Sequence, residues 1–449
     1  MTRQVIKLGS SSIASRDGLA LDVIAGLVSQ IAAAQRAGHE IILVTSGAAR
    51  LGRRLLAFEG PTGPQAVATA MPAAVGQPAL MALYRQLAAA VGVEVCQILV
   101  SRSDLASARA MADLGHLLRE AAGRGLLPIV NGNDAADPLS ELDNDQVAVA
   151  VAVAAEASRL LFLTDVRAAY RDSSLSDRIV RLTPDEARAV RVTNGGSGRG
   201  GMGSKLGAAA RAACCGVECI IGSATEPDVV ARSLNPRARV GTVIRGPGAQ
   251  LEPPRRWIGG MAYSEGSVHV NREAEASLRT GSTLFLSGVK RVDGEFPAGS
   301  VVELVDVRHP ERLIGRGSVA LPASMLRLLR ALSPHQVACA ISILLRLRYA
   351  GAADGALIDP DVYKDCRELA DGTSRASQEA FAQLAAFSPD RVSDLADSLL
   401  LAQPGLCTAF LLDRGFLHGQ VPMGPAARRV VRNVHAVHRE SLVVYPGSS

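Results

Sequence analysis

Seven short apolar runs, at residues 5–8, 41–45, 95–100, 127–130, 160–164, 219–221 and 242–244, are separated by longer amphipathic stretches such as 21–37 and 73–91. Strand-like runs alternating with helical patterns can satisfy their backbones in few ways. They pair side by side as a parallel sheet whose two faces are covered by helices. An α/β fold is therefore expected. In such sheets ligands gather at the carboxyl ends of the strands, so the residues just after each run carry the functional information.

Those residues are polar. Gly9-Ser10-Ser11 follows the first run, Ser46-Gly47-Ala48 the second, and Asn131-Gly132-Asn133-Asp134 the fourth. Asp143-Asn144-Asp145 stands shortly beyond, at a helix start, and Thr164-Asp165 follows the fifth run. Each group by itself reads equally as a helix cap or an Asx-turn. Taken together they give one rim lined with serine, asparagine and aspartate.

Residues 194–205, NGGSGRGGMGSK, hold six glycines and run directly into the Ala-rich stretch 206–213. Glycine permits positive φ and close approach of backbone N–H groups to a ligand. The helix that follows offers a partially positive N-terminus, so loop, helix start and Lys205 form an anion site, and phosphate is the usual anion. The spacing is not that of a Walker A motif. Of 48 basic residues only Lys7, Lys205, Lys290 and Lys364 are lysines, and two of these four stand in glycine-containing loops. A compact ammonium on a flexible stem can follow a moving phosphoryl group as a point charge, which a planar guanidinium does less well.

A length of 449 residues implies two or three domains, and a net charge of +5 permits nucleic acid without demanding it. The seven cysteines lack paired metal spacing, and Cys214, Cys215 and Cys219 read as core residues of a reduced protein. The longest apolar run, from Val147 to Ala155, falls far short of the roughly 20 residues a membrane span needs. No leader segment is visible ahead of Val5, so a cytoplasmic protein is expected.

Two ammonium groups and a glycine nest suit the β- and γ-phosphates of a nucleotide. Asp134, Asp143, Asn144 and Asp145 can orient the lysines, hold Mg²⁺ through water and receive the ammonium of a second substrate. There is no serine–histidine triad, and a carboxylate acceptor is already ionised near neutral pH. The pattern points to phosphoryl transfer by positioning.

These motifs resemble the amino acid kinase fold over residues 3–245 and, within it, the glutamate 5-kinase family. The resemblance rests on Val-Ile-Lys7-Leu-Gly-Ser, Val-Thr-Ser46-Gly-Ala, Ala-Ala-Val-Gly-Gln77, Asn133-Asp134, Asp143-Asn144-Asp145, Leu-Thr164-Asp165 and Gly200-Gly-Met-Gly-Ser-Lys205. It implies an ATP- and Mg²⁺-dependent kinase that phosphorylates the side-chain carboxylate of L-glutamate, at the entry to proline synthesis, with a paralogue acting on another amino acid or carboxylate in specialised metabolism as the alternative that Gly132 keeps open. Carried over by position, Lys7, Lys205 and Asp145 are the catalytic set. Lys7, Gly9, Ser10, Thr164, Asp165, Arg199, Gly200, Gly201, Met202, Gly203, Ser204 and Lys205 resemble the nucleotide site. Ser46, Gly47, Asp134, Asp143 and Asn144 resemble the acceptor site, and no resident metal ligand is implied. The resemblance further implies a homo-oligomer, dimer or tetramer, and hand-off of the acyl phosphate to a reductase.

Beyond the Pro253-Pro254 pair the chain is similar to a PUA domain, with strand-like runs at 267–270, 283–286, 301–305 and 314–319 and turns at Asp293-Gly294 and 297–299. PUA folds elsewhere bind RNA, which stays open here as a partner. The expected organisation is a kinase domain over 1–250, a smaller, mainly β, PUA-like domain over 254–348, a helical insertion over 349–432, and a closing segment over 433–449. Helices are expected at 377–386 and 392–401 within the insertion, a site for partner contact or a surface elaboration. Gly132 and Arg199 depart from the family pattern, and Gly132 is expected to leave room near the acceptor's amine. The competing class is a binding protein that has kept a kinase scaffold.

Overall fold

The computed structural model describes residues 1–9, 12–15, 18–57, 65–137, 143–172, 174–190, 201–246, 251–310, 312–330, 332, 395–396 and 434–445. They form two compact units, Met1–Tyr263 rejoined by Tyr445, and Ser264–Val444. Of the insertion expected over 349–432, only Leu395 and Ala396 are among the described residues; the expected helix at 377–386 lies outside them.

In the first unit β1 (Arg3–Leu8) leads through a short pair, β2 (Ala14–Ser15) and β3 (Gly18–Leu19), into α1 (Leu21–Arg36). β4 (Glu40–Val44) precedes α2 (Ala48–Leu55) and α3 (Gln65–Ala89), and β5 (Val95–Val100) precedes α4 (Arg102–Ala106) and α5 (Ala108–Gly123). Next come β6 (Leu127–Gly132), α6 (Asn144–Ala154), β7 (Arg159–Thr164), β8 (Arg181–Leu182), α7 (Pro184–Ala189) and α8 (Met202–Cys214). β9 (Glu218–Ser223), α9 (Val229–Leu234), β10 (Thr242–Ile244), α10 (Pro253–Arg256) and a π-helical turn at Trp257–Met261 complete it.

The eight-stranded sheet has the order β5-β6-β4-β1-β7-β9-β10-β8. Its strands divide their side chains between two cores, as a period of two requires. Val5, Ile42, Val44, Leu160 and Phe162 face α5, α6 and α8 on one side. Ile6, Leu8, Ile41, Leu43, Leu161 and Leu163 face α1, α3 and α9 on the other. Helix α6 is buried from Val147 to Ala154, the condition of a helix apolar all round. Cys214, Cys215 and Cys219 are buried free thiols, and burial pushes the Cys219 thiol well up.

One expectation needs correction. The strands from β5 to β9 run parallel, but β10 lies antiparallel to β9, with β8 parallel to β10. A two-residue period identifies a strand without giving its direction. The chain enters β10 at Gly241, whose φ is +53° and whose missing Cβ would stand 1.8 Å from the carbonyl oxygen of Ile221. Only glycine admits that approach.

Helices α2 and α3 also meet backbone to backbone. A Cβ on Gly52 would lie 1.8 Å from the Pro72 carbonyl oxygen, and one on Gly76 would lie 1.8 Å from that of Ala48. Gly52→Ala is expected to force the helices apart and destabilise the protein by about 1–3 kcal/mol, read as a lowered thermal midpoint. An unchanged midpoint would show that the contact yields easily.

The second unit holds β11 (Ser267–Val270), α11 (Arg272–Arg279), β12 (Leu284–Phe285), a 3₁₀ turn at Leu286–Gly288, and β13 (Val289–Asp293). β14 (Val301–Asp306), β15 (Leu313–Val319), α12 (Ala323–Leu329) and β16 (His435–Val444) follow. Its six strands order β12-β16-β15-β14-β11-β13, so the segment from His435 pairs back into the sheet beside β15 and β12. Gly294 and Gly299 take φ of +93° and +88° at the anticipated turns. The run expected at 283–286 is a strand only at Leu284–Phe285 before tightening into the 3₁₀ turn, and β13 lies where no strand was expected. Among the described residues no helix is long and apolar enough to cross a membrane.

Candidate active site

The parallel strands deliver the polar rim to one end of the first unit's sheet. Lys7 lies near the end of β1, paired with Val44 of β4 and Phe162 of β7. Arg3, Gln4 and Lys7 aside, β1 contributes apolar side chains to the cores, so the backbone that carries Lys7 is held on both faces.

Asp145 is the hub. It is fully buried in the first turn of α6, and its Oδ1 lies 2.6 Å from Lys7 Nζ while its Oδ2 lies 3.4 Å from Lys205 Nζ. Lys7 is 4% and Lys205 7% exposed. Two residues 198 positions apart thus share one carboxylate, and the group carries one net positive charge where solvent screening is weak. A buried charge cluster of this kind gives a fold little stability, because desolvation offsets the attraction.

A second rung joins the same helices. Asp143 caps α6, its Oδ1 accepting from the Asp145 N–H at 3.0 Å, and its Oδ2 accepts from Ser204 Oγ at 2.9 Å in the first turn of α8. Helix α8 starts at Gly201, which has no side chain to cap its first N–H groups. Helix α2 likewise starts from an uncapped glycine, Gly47, whose φ is +103° and whose Cβ would strike Ile13 at 2.6 Å. Both helix starts carry partial positive charge at the rim.

The other half of the rim is built from amides. Asn144 Nδ2 donates to Ser46 Oγ at 3.1 Å, which leaves Asn144 Oδ1 a buried acceptor without a partner among the described residues. Asn131 Oδ1 accepts from the Gly132 N–H at 2.9 Å, so its Nδ2 donates to Gln77 Oε1 at 2.8 Å. Among the described residues Gln77 Nε2 is left as a buried donor without a partner, beside a cavity of about 250 Å³ lined also by Ala48, Ala73, Gly132, Asn133 and Asp134. An orphan donor and an orphan acceptor beside one rim ask for a ligand bearing both kinds of group. Sequence reading quoted Gln77 as part of a motif and gave Asn131 no role; the signal for both was an amide at a strand or helix position facing that rim.

Gly132 leaves less room than expected. A Cβ there would stand 3.3 Å from Asp134 Oδ1 and 3.6 Å from Asn144 Oδ1, so these two oxygens close over the bare Cα. Thr164 ends β7 with its Oγ1 accepting from the Val166 N–H at 3.0 Å, and Asp165 is exposed at the same strand end. Gly9 N–H donates to the Leu163 carbonyl at 3.4 Å, which ties the end of β1 to β7. Met202 is half-buried, while Gly203 and Ser204 are exposed. Ser10, Arg199 and Gly200 lie outside the described residues. Behind the rim, Thr45 Oγ1 and the Tyr84 hydroxyl are 2.8 Å apart, and burial raises the Tyr84 phenol to about 12.

No group of three or more metal-ligating side chains occurs among the described residues. A Mg²⁺ carried on nucleotide phosphates keeps most of its water and takes few ligands from a protein. Asp145 has its oxygens on lysines, so Asp143 and the exposed Asp165 are the carboxylates that could reach such an ion through water.

Residues 2–223 match the amino acid kinase family, and residues 266–333 match the PUA domain. The chain is similar to the glutamate 5-kinase of Gloeobacter violaceus, 36% identical over 360 residues that span 76% of this chain and 95% of that protein. It is 32% identical over 338 residues to the glutamate 5-kinase of Proteus mirabilis, covering 72% of this chain and 90% of the relative. For the glutamate 5-kinase of Thioalkalivibrio sulfidiphilus the identity is 34% over 338 residues, with 72% and 88% covered.

Proposed function

Because this chain belongs to the amino acid kinase family, and within it to the glutamate 5-kinases, we propose that its rim binds ATP and L-glutamate and makes γ-glutamyl phosphate, the first step of proline synthesis. The observation that carries the reading is the buried Lys7–Asp145–Lys205 cluster, for which the fold alone has no need. It also weighs against a binding protein on a retained scaffold.

On this reading the start of α8 and the two ammonium groups hold the β- and γ-phosphates, with Thr164 and Asp165 toward the nucleotide. Mg²⁺, carried on those phosphates, supplies charge neutralisation between them. Asp134 and Asn144 Oδ1 receive the glutamate ammonium, and Ser46, Gly47 and Gln77 Nε2 hold its oxygen atoms. A side-chain carboxylate oxygen of glutamate then attacks the γ-phosphorus in line as the bond to the β–γ bridging oxygen breaks. ADP leaves with that oxygen's charge. No proton moves, since the acceptor is ionised already. Lys7 and Lys205 stabilise charge on the phosphoryl oxygens as it shifts, and Asp145 holds both lysines in place beforehand.

The test is an ADP-release assay with glutamate and related acids, with hydroxylamine trapping of the acyl phosphate. Formation of the γ-hydroxamate from glutamate supports the reading; ADP release with no hydroxamate, or no turnover of any acid, sinks it. Gly132→Ala is expected to press on Asp134 and raise the KM for glutamate roughly 10-fold while the KM for ATP stays put. An equal effect on both substrates would place Gly132 outside the acceptor site.

An acyl phosphate hydrolyses readily, so the same reading has a homo-oligomer in the cytoplasm passing its product to a reductase. RNA binding by the PUA-like unit stays an open partner reading, which a filter-binding titration tests.

A further inference from the structure

Helices α6 and α8 carry Asp145 and Lys205 in their first turns, and their other ends lie against one small assembly. The π-helical turn at Trp257–Met261 runs directly over them: a Cβ on Gly260 would lie 2.7 Å from Val153 Cγ2 of α6 and 3.0 Å from Cys215 Sγ, the C-cap of α8. Tyr445, where the chain re-enters this unit, locks the turn. It is 1% exposed and its hydroxyl donates to the Gly259 carbonyl at 2.6 Å. Its ring also lies 4.9 Å beneath the guanidinium of Arg188 in α7. Arg188 in turn holds Asp185 Oδ1 at 3.1 Å and Cys214 Sγ, the last residue of α8, at 3.3 Å. The glycine-rich stretch that leads into α8 begins only a few residues after Arg188.

We infer that Tyr445 is a positioning residue for phosphoryl transfer: by clamping the C-terminal ends of α6 and α8 through Gly259 and Arg188, it sets where Asp145 and Lys205 stand at the opposite ends. Helices of 11 and 13 residues are about 16 and 20 Å long and act as stiff rods, so a shift at one end is delivered to the other. The inference rests on the reading of Lys205 and Asp145 as the phosphoryl-handling groups. On the acceptor side, Ser46 is bonded to Asn144 and Gln77 to Asn131, residues that are not part of this clamp.

Two substitutions divide its parts. Tyr445→Phe keeps the ring under Arg188 and loses the bond to Gly259; Tyr445→Ala loses both. Displacement by about 1 Å at the reacting groups costs up to about 10²-fold in rate. Tyr445→Ala is therefore expected to lower kcat, or raise the KM for ATP, about 10-fold or more with the KM for glutamate within about twofold, and Tyr445→Phe to restore most of the loss. Arg188→Gln, which leaves Tyr445 in place, should reproduce the same split of constants. Should Tyr445→Ala and Arg188→Gln both lower the thermal midpoint while kcat and both KM values hold, the residue is structural only and the inference fails. Should Tyr445→Ala fail to fold, Arg188→Gln decides alone by the same split. Lys205→Ala, run alongside, separates the two ideas: if it retains turnover, the site assignment itself is at fault, whatever Tyr445 does.

Discussion

Lys205→Ala will leave a folded protein that has lost phosphoryl transfer by about 10³-fold, the order expected when a preorganised cation over a transferring phosphoryl group is removed. The fold should tolerate the change. Lys205 sits in the first turn of α8, where Ala is a good helix former, and Asp145 keeps its closer partner Lys7 at 2.6 Å. The checks are a thermal midpoint near that of the parent protein together with ADP release at background. A rate within tenfold of the parent would remove Lys205 from the catalytic set.

Asp145→Asn will behave differently, because it removes the charge that both ammonium groups share. The amide has nearly the same shape, but its NH₂ must face one of two buried cations. Breaking a buried ion pair by removing one partner costs about 3–5 kcal/mol. The thermal midpoint should fall and turnover should fall with it. ATP brings negative charge back to the lysines, so saturating nucleotide should raise the midpoint more in the variant than in the parent. A variant of normal stability that responds to ATP like the parent would show that Asp145 does not hold the lysines together. Lys205→Ala and Asp145→Asn thus separate a lost catalytic contact from a lost organising one.

The two lysines illustrate what sequence could and could not supply. Their rarity in an arginine-rich chain and their place in glycine-containing loops marked Lys7 and Lys205 as a pair. The residues themselves offered Asp145 as one of four acidic or amide groups able to orient the lysines, and the family resemblance placed it with them in the catalytic set. That it takes one lysine on each oxygen follows from β1 lying beside α6 and from α8 packing along α6, which are facts of tertiary structure. The amide relay from Gly132 N–H through Asn131 to Gln77 was less visible still. Asparagine near a strand end and glutamine inside a helix are ordinary surface residues until burial takes water away from them.

Gly132 and Tyr445 show the same divide. Glycine in sequence reads as space, yet at Gly132 neighbouring oxygens use that space, and only coordinates reveal which. Tyr445 lies more than two hundred residues beyond Lys205, and nothing in its local pattern ties it to α7 or to the π-helical turn.

The amino-acid order by itself determined seven of the first unit's strands and the helices about 21–37 and 73–91, because periods of two and of 3.6 are written locally along the chain, whereas the two-residue strands β2, β3 and β8 are too short to show a period. It also determined which rim bears the polar groups, since a parallel strand can present its following loop only at one end. Tertiary structure decided the antiparallel turn into β10, the single carboxylate that joins the lysines, and the clamp behind α6 and α8. Each of these depends on distances between residues far apart in the chain, and local hydrophobic period carries no measure of such distances.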